Sequence, residues 1–290
     1  MTNNFFDTKY PIACAPMNQV GTREFLNSCY DSGILPSVFQ NPDSQKSLIT
    51  SYLEQELRPL LVAVSAYRLV TDEYYRKFTM ELPFSHLEFI SDISNEEKEM
   101  TTKFYDILFK LKETKKIIYK RFYANMPKPL YNIVDAFTVK GSEGAGHPGN
   151  DLLDSEVDKY KSLYSKFTFL AEGGINNKNQ LLKYSNLGIK GFLIGSLLAA
   201  SKESNLSSES KQILINKTSK DLQKLSTGQQ GIIFSHVDDT DKNYTKSLKL
   251  GILTGNRGHL FIGSNIDYIT KELSIKEIID NIVPKEWKYE

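Results

Sequence analysis

Cysteine is nearly missing from this chain of 290 residues, with Cys14 and Cys29 the two present. Two thiols so placed make no disulfide framework and lack metal-ligand spacing, which excludes a cystine-stapled fold and a thiolate metal centre. A reducing, cytoplasmic setting is expected. Charge of one sign is also missing: Lys and Arg number 36, Asp and Glu 35, for a net charge of +1. Bulk electrostatics therefore draws the protein to neither nucleic acid nor an anionic membrane. No apolar run approaches the roughly 20 residues of a membrane span. Residues Met1 to Tyr10 include Asp7 and no apolar stretch, so no secretory leader is expected. Internal repeats and low-complexity linkers are absent, which predicts one domain over 1–290.

What is present is an ordinary globular composition, 40% hydrophobic and 24% charged. Short apolar runs rich in β-branched and aromatic residues alternate with polar helical stretches, the pattern of βα units on a parallel sheet. Candidate strands are Pro11–Pro16, Ile34–Phe39, Pro59–Ser65, Ser85–Ser91, Lys116–Tyr123, Asp135–Lys140, Phe167–Glu172 and Lys190–Gly195. Their number is the one that closes a barrel, so the expected class is α/β, a (β/α)8 TIM barrel. Helices are expected between most strands. The clearest is Ser94–Thr114, opened by a Ser94/Glu97 capping box. Asn41-Pro42 opens the helix before the third strand, and Asn176 the one before the eighth. The interval from Tyr123 to Asp135, with its two prolines, leaves space for a short turn only. Residues 205–290 exceed one closing helix and are expected as a helical or irregular extension. Ser208–Leu225 and Ile275–Val283 read as helices within it. The segment Tyr244–Ile262 and the pair Tyr74-Tyr75 receive no role from sequence.

Four motifs stand at strand ends, where barrels build their active sites. Pro11-Ile-Ala-Cys-Ala-Pro-Met17 ends the first strand in small residues that let backbone approach a planar ligand. Gly141-Ser-Glu-Gly-Ala-Gly-His-Pro-Gly149 follows the sixth strand and exposes backbone N–H groups to a ligand. Its His147 lies in no helix face or core layer, and an imidazole titrates near neutral pH, which makes it the candidate acid–base group. Ala171-Glu-Gly-Gly-Ile-Asn176 and Gly191-Phe-Leu-Ile-Gly-Ser196 follow the seventh and eighth strands. Loops there, with a helix N-terminus, are where barrels hold phosphate. Of the other histidines, His86 reads as structural; His236 and His259 lie in the extension. No metal ligand set is expected.

Together these motifs resemble the nitronate monooxygenase family, formerly 2-nitropropane dioxygenases, which includes the FMN-dependent enoyl-acyl-carrier-protein reductases. The resemblance rests on Pro11–Met17, Glu143–His147, Gly173–Ile175 and Ile194–Ser196, with Glu203-Ser204 and Ser274–Ile282 in support. It is patchy between Tyr67 and Lys115. It implies FMN, with its phosphate on Gly173, Gly174, Gly195 and Ser196 and its ring over Ala15, Pro16 and Met17. Gly144, Ala145 and Gly146 would border the cofactor, and His147 would face the substrate.

Two positions depart from the family. Ala63 stands where an Asn usually meets the flavin, and Lys140 where a Gln does. Lys120 matches a lysine that some members place near the flavin, where it would stabilise negative charge on the reduced ring. Lys140 is read either as a flavin neighbour or as a surface-turn lysine. Lys120 points in or out of the barrel; an inward lysine needs a partner, which Glu88 or Glu172 would supply. The implied functions are oxidation of a small carbanion-like substrate with flavin and dioxygen, or NAD(P)H-dependent reduction of an enoyl-thioester, the nicotinamide visiting transiently. A flavin-free binding or scaffold barrel is the reading from another class. The expected partner is a small-molecule substrate, free or carried on CoA or acyl carrier protein, with self-association into a homodimer left open.

Overall fold

The computed structural model describes residues 4–40, 42–54, 58–89, 98–120, 126–224, 229–233, 248–249, 251–252 and 258–288. The parallel strands are β1 (Ile12–Cys14), β2 (Ser37–Phe39), β3 (Leu61–Val64), β4 (His86–Phe89), β5 (Lys116–Lys120), β6 (Ala136–Lys140), β7 (Phe169–Glu172) and β8 (Gly191–Ile194). They lie in one sheet in the order β1-β8-β7-β6-β5-β4-β3-β2. Its two ends meet, because Cys14 N–H donates to Leu35 O at 2.8 Å and Leu35 N–H to Ile12 O at 2.9 Å. The sheet thus closes into a (β/α)8 barrel, at the strands the sequence predicts.

Both faces of each strand are buried, so the strands read as continuous apolar runs rather than alternating ones. Alternation appears in what each residue faces. Ile12, Cys14, Val62, Val64, Phe137 and Val139 pack outward in the larger core against the helices. Ala13, Ala15, Leu61, Ile118, Ala136, Leu170 and Leu193 fill the barrel interior. Phe6 joins that inner cluster, its ring tilted against His86 at 5.9 Å between centroids. The His86 ring nitrogens lie 3.1 Å from Phe5 O and 2.7 Å from Ser85 Oγ. Burial pushes this imidazole down to about 4, so it is a neutral structural group near neutral pH.

The surrounding helices are α1 (Arg23–Asp31), α2 (Pro42–Leu53), α3 (Ala66–Thr71), α4 (Glu73–Glu81), α5 (Lys98–Lys112), α6 (Leu130–Ile133), α7 (Leu153–Lys159) and α8 (Lys178–Leu187). α6 is a single turn, as the prolines before it require. The start expected for α5 at Ser94, with Glu97, falls outside the described residues, as do Asn41 and His236. α8 is capped one residue later than expected: the Asn177 side chain, not that of Asn176, accepts from Gln180 N–H. Tyr75 acquires a role. It is fully buried, and its hydroxyl accepts from Ser65 N–H at 3.0 Å, fixing the loop after β3.

Beyond β8 come α9 (Ser196–Ala199), α10 (Ser208–Asn216), β9 (Gln223–Lys224), β10 (Gln230–Ile233), β11 (His259–Leu260) and α11 (Ile275–Ile282). The helix expected over Ser208–Leu225 ends nine residues early. Thr218 is extended and opens a new 3-10 turn, Ser219–Asp221, through its own capping box with Asp221. β9, β10 and β11 form a small antiparallel sheet in the order β11-β10-β9, a feature not expected from sequence. α11 matches expectation. Ser274 and Glu277 form its capping box, Glu203 accepts from Ile275 N–H at 3.1 Å, and its isoleucines pack inward toward α1. Among the described residues no helix is long and apolar enough to cross a membrane, and no cluster of side chains has the make-up of a metal site.

Candidate functional site

A cavity of about 630 Å³ opens at the C-terminal ends of the strands. Ala15 to Met17 follow β1; Phe39 ends β2; Ser65 follows β3; Lys120, Lys140 and Glu172 end β5, β6 and β7; Gly195 follows β8. The residues expected from sequence to border a cofactor or act as acid–base group line this one space: Ala15, Pro16, Met17, Lys120, Lys140, Gly144, Ala145, Gly146, His147, Gly173, Gly174, Gly195 and Ser196. Ala63 does not reach it. It is buried in the barrel wall beside Glu88, its register partner on β4.

One side of the cavity is built from turns with little side chain. Gly173 and Gly174 both hold left-handed φ, +85° and +86°, which L side chains avoid. A Cβ on Gly173 would come within 3.0 Å of Gly144 Cα, and one on Gly174 within 3.2 Å of the Glu143 side chain. Glu143 is held there because its carboxylate accepts from Leu153 N–H at the start of α7. Across from these glycines, α9 begins at Gly195 without any side-chain cap, although Ser196 and Leu197 are buried. A buried, uncapped helix start leaves N–H donors for a ligand.

His147 sits at the rim and is exposed, with Gln229 Nε2 3.5 Å from its Nδ1. Its loop is stitched to the extension: Gly146 and Gln230 exchange backbone hydrogen bonds of 3.1 and 2.7 Å. The extension also reaches the other loops. Gly263 N–H donates to Ser196 Oγ at 2.9 Å, Ser264 N–H to Glu143 O at 3.0 Å, and Asn265 Nδ2 to Ile175 O at 2.7 Å. Leu206, Leu214, Leu248, Leu260, Phe261 and Ile262 give the cavity an apolar wall. Sequence reasoning missed this wall. The single local hint was the continuous apolar run Leu260-Phe261-Ile262, in a segment whose partners are remote.

The cavity floor is ionic. Lys120 Nζ lies 3.3 Å from Glu88 Oε2 and 3.2 Å from Glu172 Oε2, and Lys140 Nζ lies 3.1 Å from Glu172 Oε1. Both lysines point inward, and both carboxylates offered as partners serve Lys120. The surface-turn reading of Lys140 is corrected: β6 ends inside the barrel, and Lys140 is buried, donating also to Ala145 O at 3.1 Å. Burial alone would raise Glu172, but the two ammonium groups outweigh it and hold the carboxyl at about 2. Burial would lower Lys120, yet Glu172 and Glu88 keep it above the ordinary lysine value. Desolvation lowers Lys140 and raises Glu88, which keeps one oxygen, Oε1, without a hydrogen-bond partner.

The barrel fold has counterparts among solved structures. A mutant of FabK from Thermotoga maritima superposes with a TM-score of 0.78 at 19% identity, over 98% of this chain and 94% of that one. Nitroalkane oxidase from Streptomyces ansochromogenes gives 0.70 at 14% identity, over 94% of each chain. The enoyl reductase domain of MlnA from Bacillus amyloliquefaciens gives 0.62 at 12% identity, over 85% of this chain and 72% of that one. At these identities the likeness is one of fold. No family model matches the sequence, and no curated protein does.

Proposed function

We propose that this chain is an FMN-dependent oxidoreductase that acts on a small substrate at the mouth of its barrel. The observation that carries the proposal is the convergence of the glycine turns after β6, β7 and β8 on one cavity. That cradle fits a phosphate. Gly173 and Gly174 remove side-chain bulk where a Cβ would crowd Gly144 and Glu143, and the uncapped start of α9 offers buried N–H donors. Ser196 accepts from Gly263, and its own proton remains for a phosphate oxygen. Ala15 and Pro16 leave a low surface beside the cradle for a planar ring.

FMN, when bound, supplies two-electron chemistry with the substrate. The protein's part is to bind, orient and move a proton. Lys120 and Lys140 present positive charge from the floor, where low dielectric strengthens it. His147 stands at the rim to take or return a substrate proton, with Gln229 beside one ring nitrogen to orient it. Oxidation of a carbanion-like substrate such as an alkyl nitronate uses His147 as general base. A second reading, reduction of an enoyl-thioester with NAD(P)H as transient reductant, is favoured by the apolar wall from Leu206 to Ile262, which suits an aliphatic chain. That substrate would arrive on CoA or acyl carrier protein.

The visible spectrum of the purified protein, with identification of any cofactor released on heating, tests the proposal. Oxidised-flavin bands from released FMN support it. A colourless protein that takes up no added FMN overturns it in favour of a flavin-free binding barrel. Oxygen uptake with alkyl nitronates, against NAD(P)H consumption that depends on an enoyl-thioester, separates the two readings.

A further inference from the structure

The ionic floor is more than a set of satisfied charges. Lys120 and Lys140 arrive from adjacent strands and share one carboxylate, that of Glu172, through its two separate oxygens. Each ammonium has three N–H donors. Lys140 directs one to Ala145 O and stands in ion-pair contact with Glu172; Lys120 directs one to Glu88 and stands in ion-pair contact with Glu172, whose Oε2 accepts no hydrogen bond among the described residues. Each ammonium therefore has N–H capacity beyond the hydrogen bond it makes among the described residues, and both side chains line the cavity. Glu172 lines it as well and Glu88 does not, so two ammonium groups and one carboxylate face the ligand space. Two buried cations facing a cavity against one carboxylate leave a net positive charge on the ligand side, weakly screened.

The geometry points to Lys140 and Lys120 as one anion-holding pair, coupled through Glu172, that stabilises negative charge on the ring bound above the floor. This rests on the FMN reading. It deepens that reading by coupling the two lysines through Glu172 and by making the charge of Lys140, on β6, a determinant of the flavin's electronic state. Lys140 is then a positioning and electrostatic residue whose work is done by its charge rather than by its bond to the Ala145 carbonyl.

Sulfite is the probe. Its lone pair adds to flavin N5, forming an S–N bond as the N5=C4a π bond breaks, and the electron pair of that π bond settles on the pyrimidine side of the ring as negative charge. No bond to sulfite breaks and no other reactant is needed. FMN-loaded wild type, Lys140→Gln and Lys140→Arg are titrated with sulfite near neutral pH by loss of the visible flavin band, and the midpoint potential of bound FMN is measured for each. Glutamine keeps a donor for Ala145 O or Glu172 and removes the charge; arginine keeps the charge. The expected result is a sulfite Kd weaker by about tenfold or more in Lys140→Gln, a more negative potential, and Lys140→Arg close to wild type. If Lys140→Gln loses FMN, Lys120→Gln is measured instead and is expected to shift the same way. A glutamine variant with wild-type sulfite affinity and potential overturns the inference, as does an arginine variant as impaired as glutamine, or FMN-loaded wild type that forms no adduct. Wild type that binds no FMN is seen before sulfite is added; it removes the FMN reading itself and the inference with it.

Discussion

Gly146 and Gln230 exchange two backbone hydrogen bonds, joining the glycine-rich loop after β6 to a strand 84 positions further on. The extension is thus part of the cavity, and its hold on the loop is testable. Gln230→Pro removes the N–H that donates to Gly146 O. The loss of a hydrogen bond worth roughly 1 kcal/mol predicts about fivefold weaker FMN binding, with faster release followed by flavin fluorescence. Unchanged release would mean that the loop holds its shape without the extension.

The cradle glycines separate two effects. Gly174→Ala puts a side chain on a residue with φ of +86° and sets its Cβ 3.2 Å from Glu143. Gly146→Ala meets no atom within 4 Å and carries the left-handed conformation alone, at φ +64°. Each substitution costs about 1–2 kcal/mol for its backbone. Gly174→Ala is expected to lower the melting temperature further and to weaken FMN binding at least tenfold. Equal behaviour of the two variants in melting and in flavin titration would count against the cradle.

His147 is the candidate acid–base group. His147→Ala is expected to keep its flavin spectrum while turnover falls by roughly 10²–10⁴-fold. Because His147 lies exposed at the rim, melting temperature should hardly move. Undiminished turnover with either substrate class would remove it from the mechanism.

His86 links stability to pH. Its folded value lies at about 4, against 6.5 for the free imidazole, because the ring is buried. Between those values the unfolded chain binds a proton that the folded chain does not. Stability therefore falls as pH drops from about 6.5 to about 4 and receives no further loss from this group below that. The full effect is about 3 kcal/mol. His86→Gln should flatten that part of the curve of urea midpoint against pH; an unaltered slope would place the proton elsewhere.

Much of the site was legible because barrel chemistry gathers at strand ends, and short motifs reveal strand ends. Gly173-Gly174 and Gly195-Ser196 were found in that way, and they border the same cavity. Lys120 and Lys140 were half legible. Their positions were visible, but whether each side chain turned inward depended on strand register, which places Lys140 opposite Glu172 and Lys120 two residues beyond the Glu88 level. The early end of α10 was missed because the Thr218–Asp221 capping box competes with a continuing helical pattern.

The amino-acid order by itself determined the strand count, the glycine turns and the Ser274–Glu277 capping box, since each depends on residues within a few positions of one another. Tertiary structure alone decided the closure of β1 on Leu35, the sharing of Glu172 between two lysines, and the seating of Gly263 on Ser196. Those contacts join residues far apart in the chain. Their partners are selected by barrel geometry and by the burial that makes an unpaired charge or N–H costly, and no local pattern encodes that selection.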